Sequence, residues 1–204
     1  MSRRVVVVKV GGSLLDWPEL PRRLGAFLEE RGDENLVLVV GGGSFADVLR
    51  DLDQRFAIGE DPAHALALRV LDLTAHLLEK LVPGTRVVDR PDCLNPIWSD
   101  RQVPILAPRQ FLDDDDRSPD PLPHTWSTTT DAIAARLAVR IKADELILLK
   151  SREIPSGIDA DEAARIDLVD PEFPRAAIGI PLVVYRNFRE SSHPVLIETD
   201  PPAS

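Results

Sequence analysis

A run of β-branched residues near the start of the chain, Val5–Val10, constrains the fold more than any other feature. Four successive valines without polar alternation predict a strand buried on both faces in the middle of a parallel sheet. Lys9 interrupts this run just before Gly11, Gly12 and Ser13. A buried lysine needs an anionic partner, and glycines at the carboxyl end of a strand let backbone N–H groups approach a phosphate. The segment therefore predicts a phosphate site, although Lys9 could instead reach the surface and the glycines could only turn the chain.

A second strand and a second glycine turn follow. Asn35–Val40 is another continuous apolar run, and the spacing of apolar residues within Trp17–Gly32 predicts a helix between the two strands. A β-α-β crossover makes the strands parallel, so both glycine turns should lie at one edge of the sheet and converge on one anionic ligand. A simple turn needs only one glycine, which favours a binding role for the second turn. This turn consists of Gly41, Gly42, Gly43 and Ser44.

Composition limits the classes of protein to which the chain can belong. Its 204 residues, 44% of them hydrophobic, suffice for one complete core, and we expect a single domain over residues 1–204. The formal net charge of −10 argues against a general nucleic-acid-binding protein, although a few local cations can still hold a small anionic substrate. The single cysteine, Cys93, excludes an intramolecular disulfide and a Cys-based metal site. No apolar run is long enough to cross a bilayer, so we expect a cytoplasmic protein without a membrane partner.

Polar residues at 123–131 precede a predicted helix. Thr130 and Asp131 begin this helix, whose apolar residues repeat through Ile141. Asp131 could cap the helix, but it could also orient lysines or hold Mg²⁺ near a phosphoryl group. The next predicted strand, at 144–150, again ends in a lysine. Lys9 and Lys150 could therefore face one transferring phosphoryl group from the same edge of the sheet.

A long amphipathic helix is predicted from Asp61 onward. Its apolar stripe could belong to the core or to a dimer surface, and we expect a homo-oligomer. For His76 a structural role is favoured, while the role of His64 stays open, because the separation of the two histidines does not suit a shared metal. The stripe consists of Ala63, Leu66, Val70, Leu73, Leu77 and Leu81.

Several other segments predict supporting structure. Ser44 and Asp47 form a capping box at the start of a helix. The run Asp113–Asp116 is interpreted as an exposed loop rather than a Mg²⁺ site. Arg186 and Arg189 could meet a phosphorylated ligand but could also be ordinary surface residues. Short strands are predicted at 86–88, 103–108, 180–185 and 194–198, a short helix at 160–166 and a frayed end at 200–204.

The order of these motifs resembles the amino acid kinase family. The segment Lys9–Ser13 matches the family's opening Lys-x-Gly-Gly-Ser, and Gly41–Ser44 matches its second glycine turn. Thr130 and Asp131 resemble the start of its Thr/Ser-Asp helix, and residues 143–149 resemble the strand that leads to its nucleotide loop. The resemblance implies a three-layer α/β/α sandwich with a mostly parallel central sheet, the carbamate-kinase-like fold.

The resemblance also implies an activity and roles for individual residues. The expected reaction is phosphoryl transfer from ATP, with Mg²⁺, to a small anionic acceptor such as a phosphate monoester. Lys9 would stabilise the transferred phosphoryl group, and Asp131 would organise the lysines. From its own position at a strand end, rather than from the resemblance, we expect Lys150 to be the second catalytic cation. The resemblance implies that Gly11 and Gly12 contact ATP and that Gly42 and Gly43 contact the acceptor. We expect Ser13 and Ser151 to join the ATP side, and Gly41, Ser44 and Thr130 to join the acceptor side.

Some features most resemble the small archaeal-type members of the family, which include a kinase of methanofuran-type cofactor biosynthesis. They are the segments 43–47 and 64–72 and the spacing Trp126-x-x-Thr-x-Asp131. The chain departs from the family after Leu149, where Lys150-Ser151-Arg152 replaces the usual Thr-Asp-Val-x-Gly, and no later glycine-rich segment carries a lysine. Either Lys150 replaces the missing cation, or the adenine pocket is lost and the protein binds or stores an anionic ligand without catalysing transfer.

Overall fold

The first strand of the chain lies at the centre of a seven-stranded sheet. A computed structural model describes residues 3–153, 155, 157–190 and 195–199. The strand order is β3-β4-β2-β1-β5-β6-β7, and only the β6–β7 pair is antiparallel among the described strands. The predicted central parallel strand is therefore confirmed. The strands are β1 Val5–Val10, β2 Asn35–Val40, β3 Thr85–Val88, β4 Val103–Leu106, β5 Glu145–Lys150, β6 Val183–Asn187 and β7 Val195–Ile197.

Helices cover both faces of this sheet because its central strands are apolar on both faces. Val7 packs in the layer of helix α6 (Thr130–Arg140), whereas Val6 and Val8 pack in the layer of helix α1 (Leu20–Glu30). The three-layer α/β/α sandwich with a mostly parallel sheet is thus confirmed. The other helices are α2 Gly43–Phe56, α3 Glu60–Leu81, α4 Leu94–Ser99, α5 Pro108–Asp115, α7 Ala160–Arg165 and α8 Phe173–Ala176, with 3₁₀ turns at Gly12–Leu14 and Pro91–Cys93.

Helix α3 buries a different face from the one predicted. Of the predicted stripe only Ala63 is buried, while Leu66, Leu73 and Leu81 are exposed. Apolar residues occur on several sides of this helix, so a period of 3.6 fits more than one face, and packing against the sheet selects among them. The core alternative for this stripe is therefore wrong. The residues that are buried instead are Leu68, Leu71, Thr74, Ala75 and Leu78.

Helix α2 begins directly at the second glycine turn and buries none of its residues. Its first residue, Gly43, has a φ of +54°, a left-handed conformation that favours glycine. The N-cap residue is Gly42, which has no side chain, so the predicted capping box of Ser44 and Asp47 is wrong. The exposed apolar residues recur every three or four positions and form one stripe, the α2 stripe, which consists of Phe45, Val48, Leu52 and Phe56.

Part of the acidic run Asp113–Asp116 is helical. Asp113–Asp115 forms the last turn of α5, so the predicted loop is wrong there; the helix begins at Pro108, which suits a first helical position. The chain end at 200–204 and Pro194, which began a predicted strand, lie outside the described residues. Among the helices that the structure describes, none combines the length and apolar character needed to cross a membrane.

Candidate active site

Lys9 and Lys150 lie on the same face of adjacent strands. Side chains alternate along a strand, so Lys9 shares the face of Val7 and Lys150 shares that of Leu148, both of which pack in the layer of α6. Lys9 pairs with Leu148 in the parallel register, which places Lys150 two positions further toward the carboxyl end of β5. The structure thus brings together the two lysines that the sequence singled out.

Asp131 lies between these two lysines in the first turn of α6. Its Oδ1 atom is 3.0 Å from Lys9 Nζ, and its Oδ2 atom accepts a 2.6 Å hydrogen bond from Lys150 Nζ. The cap of the helix is Thr129, whose hydroxyl accepts a hydrogen bond from the Asp131 N–H. Of the roles that the sequence left open for Asp131, the geometry supports the orientation of the lysines.

The charges around Asp131 and Lys150 shift the pKa values of these two residues. Burial alone would raise the pKa of Asp131, but the attraction of Lys9 and Lys150 outweighs burial and holds this pKa below its ordinary value. Burial lowers the pKa of Lys150 to about 8, because the attraction of Asp131 only partly offsets it and Lys9 adds a like charge. In this structure Asp131 is ionised at neutral pH, and Lys150 keeps its proton mainly below about pH 8.

The two glycine turns touch each other at the carboxyl edge of the sheet. A Cβ atom on Gly12 would lie 2.4 Å from Gly43 N, and one on Gly41 would lie 2.5 Å from Gly12 N. Only glycine permits such an approach of two backbones. Thr130 Oγ1 would lie 3.3 Å from the Cβ on Gly41, so the start of α6 reaches the same point. Backbone N–H groups gathered in this way form a favourable environment for phosphate.

The residues predicted to bind ATP also come together. The hydroxyls of Ser13 and Ser151 are 2.8 Å apart, and the N–H of Gly11 donates to the end of β5 at 2.8 Å. Arg189 donates to the Ser13 carbonyl at 2.8 Å, whereas Arg186 lies over the ring of an α1 phenylalanine. Of these two arginines, Arg189 is therefore the one beside the first glycine turn.

Asp170 is a site residue that the sequence analysis missed. Its Oδ2 atom accepts hydrogen bonds from the N–H and the hydroxyl of Thr129, at 3.1 and 2.7 Å, and from the Ala132 N–H at 2.9 Å. Burial and the negative charge of Asp131 raise the pKa of Asp170 to about 6. Asp170 thereby holds the start of α6, and with it the position of Asp131. Its sequence signal is only an Asp-Pro pair in a loop-rich segment, which is typical of ordinary turns.

Comparison with known proteins identifies the family to which the chain belongs. The model of the amino acid kinase family matches residues 4–153, a range that contains both glycine turns, Asp131 and Lys150. The chain belongs to the amino acid kinase family. Within it, the [5-(aminomethyl)furan-3-yl]methyl phosphate kinase of Methanocaldococcus jannaschii is 26% identical over 179 residues, which cover 82% of this chain and 80% of the relative.

Solved kinases share the overall fold of this amino acid kinase family member. UMP kinase from Ureaplasma parvum superposes with a TM-score of 0.69 at 14% identity and covers 98% of this chain and 100% of its own. Uridylate kinase from Archaeoglobus fulgidus superposes with a TM-score of 0.63 at 18% identity, covering 95% of this chain and 91% of its own. At such identities the likeness establishes the fold, and the predicted amino acid kinase fold is confirmed.

Three further residues from the sequence analysis of this kinase-family chain lie on helices α2 and α3. Ser44 is exposed in the first turn of α2, immediately after the second glycine turn. His76 is exposed on α3. His64, whose role the sequence left open, stacks on His124 with ring centroids 4.5 Å apart and an angle of 7° between the rings.

Proposed function

We propose that the protein transfers the γ-phosphoryl group of ATP to a small phosphate monoester. The observation that carries the proposal is the placement of Lys9 and Lys150 on one carboxylate, Asp131, beside two touching glycine turns. Two ammonium groups at this point can neutralise charge on a migrating phosphoryl group, and the N–H groups of the turns can bind the phosphates on either side of it. Membership of a kinase family supports the same reaction.

The reaction requires positioning and charge neutralisation more than covalent participation of the protein. An oxygen of the acceptor phosphate attacks the γ-phosphorus of ATP. The bond between that phosphorus and the oxygen bridging it to the β-phosphate breaks, and ADP leaves with the electron pair. A phosphate monoester acceptor is already an anion, so no general base is required, and the product is the diphosphate of the acceptor.

The two glycine turns divide the roles between the two substrates in this proposal. ATP lies at the first turn, where Ser13 and Ser151 are in contact and Arg189 adds a positive charge. The acceptor lies at the second turn, where Thr130 approaches Gly41. The full set on the ATP side is Gly11, Gly12, Ser13 and Ser151, and that on the acceptor side is Gly41, Gly42, Gly43, Ser44 and Thr130.

The relative from Methanocaldococcus jannaschii provides a specific acceptor to test. Its name states that it phosphorylates [5-(aminomethyl)furan-3-yl]methyl phosphate, which is a small phosphate monoester. We propose the same compound as the acceptor of this chain, with a place in methanofuran-type one-carbon cofactor biosynthesis. The similarity over 82% of the chain supports this choice.

Mg²⁺ is expected to enter the site with ATP. Within the described ranges no group of three or more His, Cys, Asp or Glu residues is arranged to hold a metal ion. Both carboxylate oxygens of Asp131 face lysine ammonium groups, so this residue does not provide a free ligand. The phosphate oxygens of ATP, with water, are therefore the expected ligands of the ion, in keeping with its preference for substrate phosphates.

The proposal is tested by measuring ADP and diphosphate product from ATP, Mg²⁺ and the furan phosphate over a range from about pH 6 to about pH 10. We expect turnover, with kcat/KM falling above about pH 8 because Lys150 then loses its proton. In the Lys150→Arg variant the guanidinium stays charged, so this fall should move to higher pH. ATP binding by calorimetry without any product would instead support the alternative of a non-catalytic binding protein.

The α2 stripe is proposed to bind a second copy of this chain. The stripe exposes Phe45, Val48, Leu52 and Phe56, and α2 carries both acidic and basic side chains, so a two-fold arrangement can pair opposite charges around an apolar centre. We expect light scattering after size exclusion to give a dimer or larger assembly, and Val48→Glu to give the monomer. The matched control is Val139→Glu on α6, which should keep the assembly; a monomeric wild-type protein would contradict the proposal.

A further inference from the structure

A small cavity extends from the second glycine turn and the start of α6 toward the protein surface. It has a volume of about 80 Å³ and begins at Gly42 and Thr130, the residues assigned above to the acceptor. Its walls come from α2, α3 and the segment 125–129. Because it opens beside the phosphoryl-transfer site, the part of the acceptor that carries no phosphate would occupy it.

Trp126 forms one wall of this cavity and is held from two directions. Its indole Nε1 donates a 2.7 Å hydrogen bond to Asp53 Oδ2, and the guanidinium carbon of Arg50 lies 4.9 Å from its ring centroid. Asp53 is itself fixed, since its Oδ1 atom accepts a 3.1 Å hydrogen bond from the Gly59 N–H. The ring of Trp126 is therefore a preorganised surface rather than a loose side chain.

A wall of the cavity on α3 includes His64, one of a pair of stacked imidazoles. His64 lines the cavity from α3 and stacks on His124, whose Nε2 lies 2.8 Å from Asp116 Oδ1. This stack connects α3 with the segment that carries Trp126. The space between Trp126 and His64 consequently has walls that are tied to each other.

The size of this recess restricts the group that can lie inside it. A volume of about 80 Å³ holds a few groups of the size of a water molecule, whereas cavities for ligands as large as a nucleoside are several times larger. UMP kinase from Ureaplasma parvum, which shares this fold, acts on UMP, as its name states, so the fold itself can accommodate a nucleotide acceptor. The discrimination must come from side chains such as Trp126 and not from the fold.

We infer that Trp126 determines the acceptor specificity, by limiting the non-phosphate part of the acceptor to one small flat ring and excluding nucleoside monophosphates. The inference rests on the proposed function for the placement of the phosphate. Ring-on-ring contact with Trp126 would favour a planar heterocycle or arene, and Asp53 and Arg50 fix the position of the indole at the cavity wall. Trp126 therefore acts on acceptor binding and not on the charge of the migrating group.

The test measures binding without ATP, by calorimetry and by tryptophan fluorescence, with [5-(aminomethyl)furan-3-yl]methyl phosphate and UMP as the two probes. We expect the wild-type protein to bind the furan phosphate and to discriminate against UMP. Trp126→Ala should weaken furan phosphate binding by about tenfold without weakening that of UMP, so that the ratio of dissociation constants falls. The matched control is Trp98→Phe, because Trp98 bonds to the Leu36 carbonyl at the opposite edge of the sheet and should leave the ratio unchanged.

A second variant separates specificity from folding. Trp126→Phe keeps an aromatic ring but loses the hydrogen bond to Asp53, so it should fold and show an intermediate ratio. In turnover assays both variants should raise KM for the acceptor much more than they lower kcat. Equal binding of both probes by the wild-type protein, binding of neither, or a wild-type ratio in both variants would overturn the inference. Selective binding by the wild-type protein without turnover would contradict the proposed function alone.

Discussion

Replacing Lys9 by methionine is expected to lower kcat by about 10²–10³-fold while the protein stays folded. The ammonium group of Lys9 is buried beside the glycine turns, where a charge stabilises a phosphoryl group far more strongly than it would in water. Methionine fills a similar volume, and Asp131 retains Lys150 as its partner, so no buried carboxylate is left unpaired. Steady-state kinetics, with thermal unfolding as a check on folding, measures both effects.

The control for this substitution is Lys80→Met. The Lys80 side chain is 77% exposed and pairs with its neighbour Glu79, so its loss should leave kcat unchanged. A folded Lys9→Met protein that keeps kcat within about threefold of the wild type would contradict the catalytic role of Lys9. KM for ATP should change less than kcat, because the ammonium group acts mainly on the transition state.

Replacing Asp131 by asparagine is expected to reduce both stability and activity. The substitution keeps the shape of the side chain but leaves two buried ammonium groups without their shared carboxylate. Removing one partner from a buried ion pair costs about 3–5 kcal/mol of the free energy of unfolding. Part of this cost is avoided if Lys150 releases its proton, and the neutral amine then no longer stabilises the phosphoryl group. Urea unfolding and kcat are the two measurements.

Asp33→Asn provides the matched control, since Asp33 is exposed in a turn of the same fold. We expect it to change neither the free energy of unfolding nor kcat measurably. An Asp131→Asn protein with wild-type stability and turnover would show that the triad of Lys9, Asp131 and Lys150 is not the centre of the site.

Local patterns were sufficient to predict the elements that form the proposed phosphate site. Residues 5–8 and residues 36–40 are continuous apolar runs, and such runs predict strands that are buried on both faces. The β-α-β crossover makes these two strands parallel, so both glycine turns lie at one edge of the sheet, and their meeting could also be predicted. The exact contact between Gly12 and Gly43 is the structural reason for glycine at both positions.

Other features could not be predicted because they depend on residues that are distant in sequence. Helix α3 carries leucines on several sides, and only packing against the sheet decides that Leu68 is buried and Leu66 exposed. Asp170 becomes a site residue only because its loop folds back onto the start of α6. Neither Leu68 nor Asp170 lies in a local sequence pattern that distinguishes it from its neighbours.

The division between the two kinds of information follows from the range of the forces involved. Strand and helix periodicity, glycine turns and the position of each lysine at a strand end are properties of short segments, so the residues themselves specify them. Electrostatic and steric effects act through space. The lowered pKa of Lys150 and the enclosure of Trp126 by Arg50 and Asp53 therefore exist only once the folded chain has brought these groups within a few ångströms of one another.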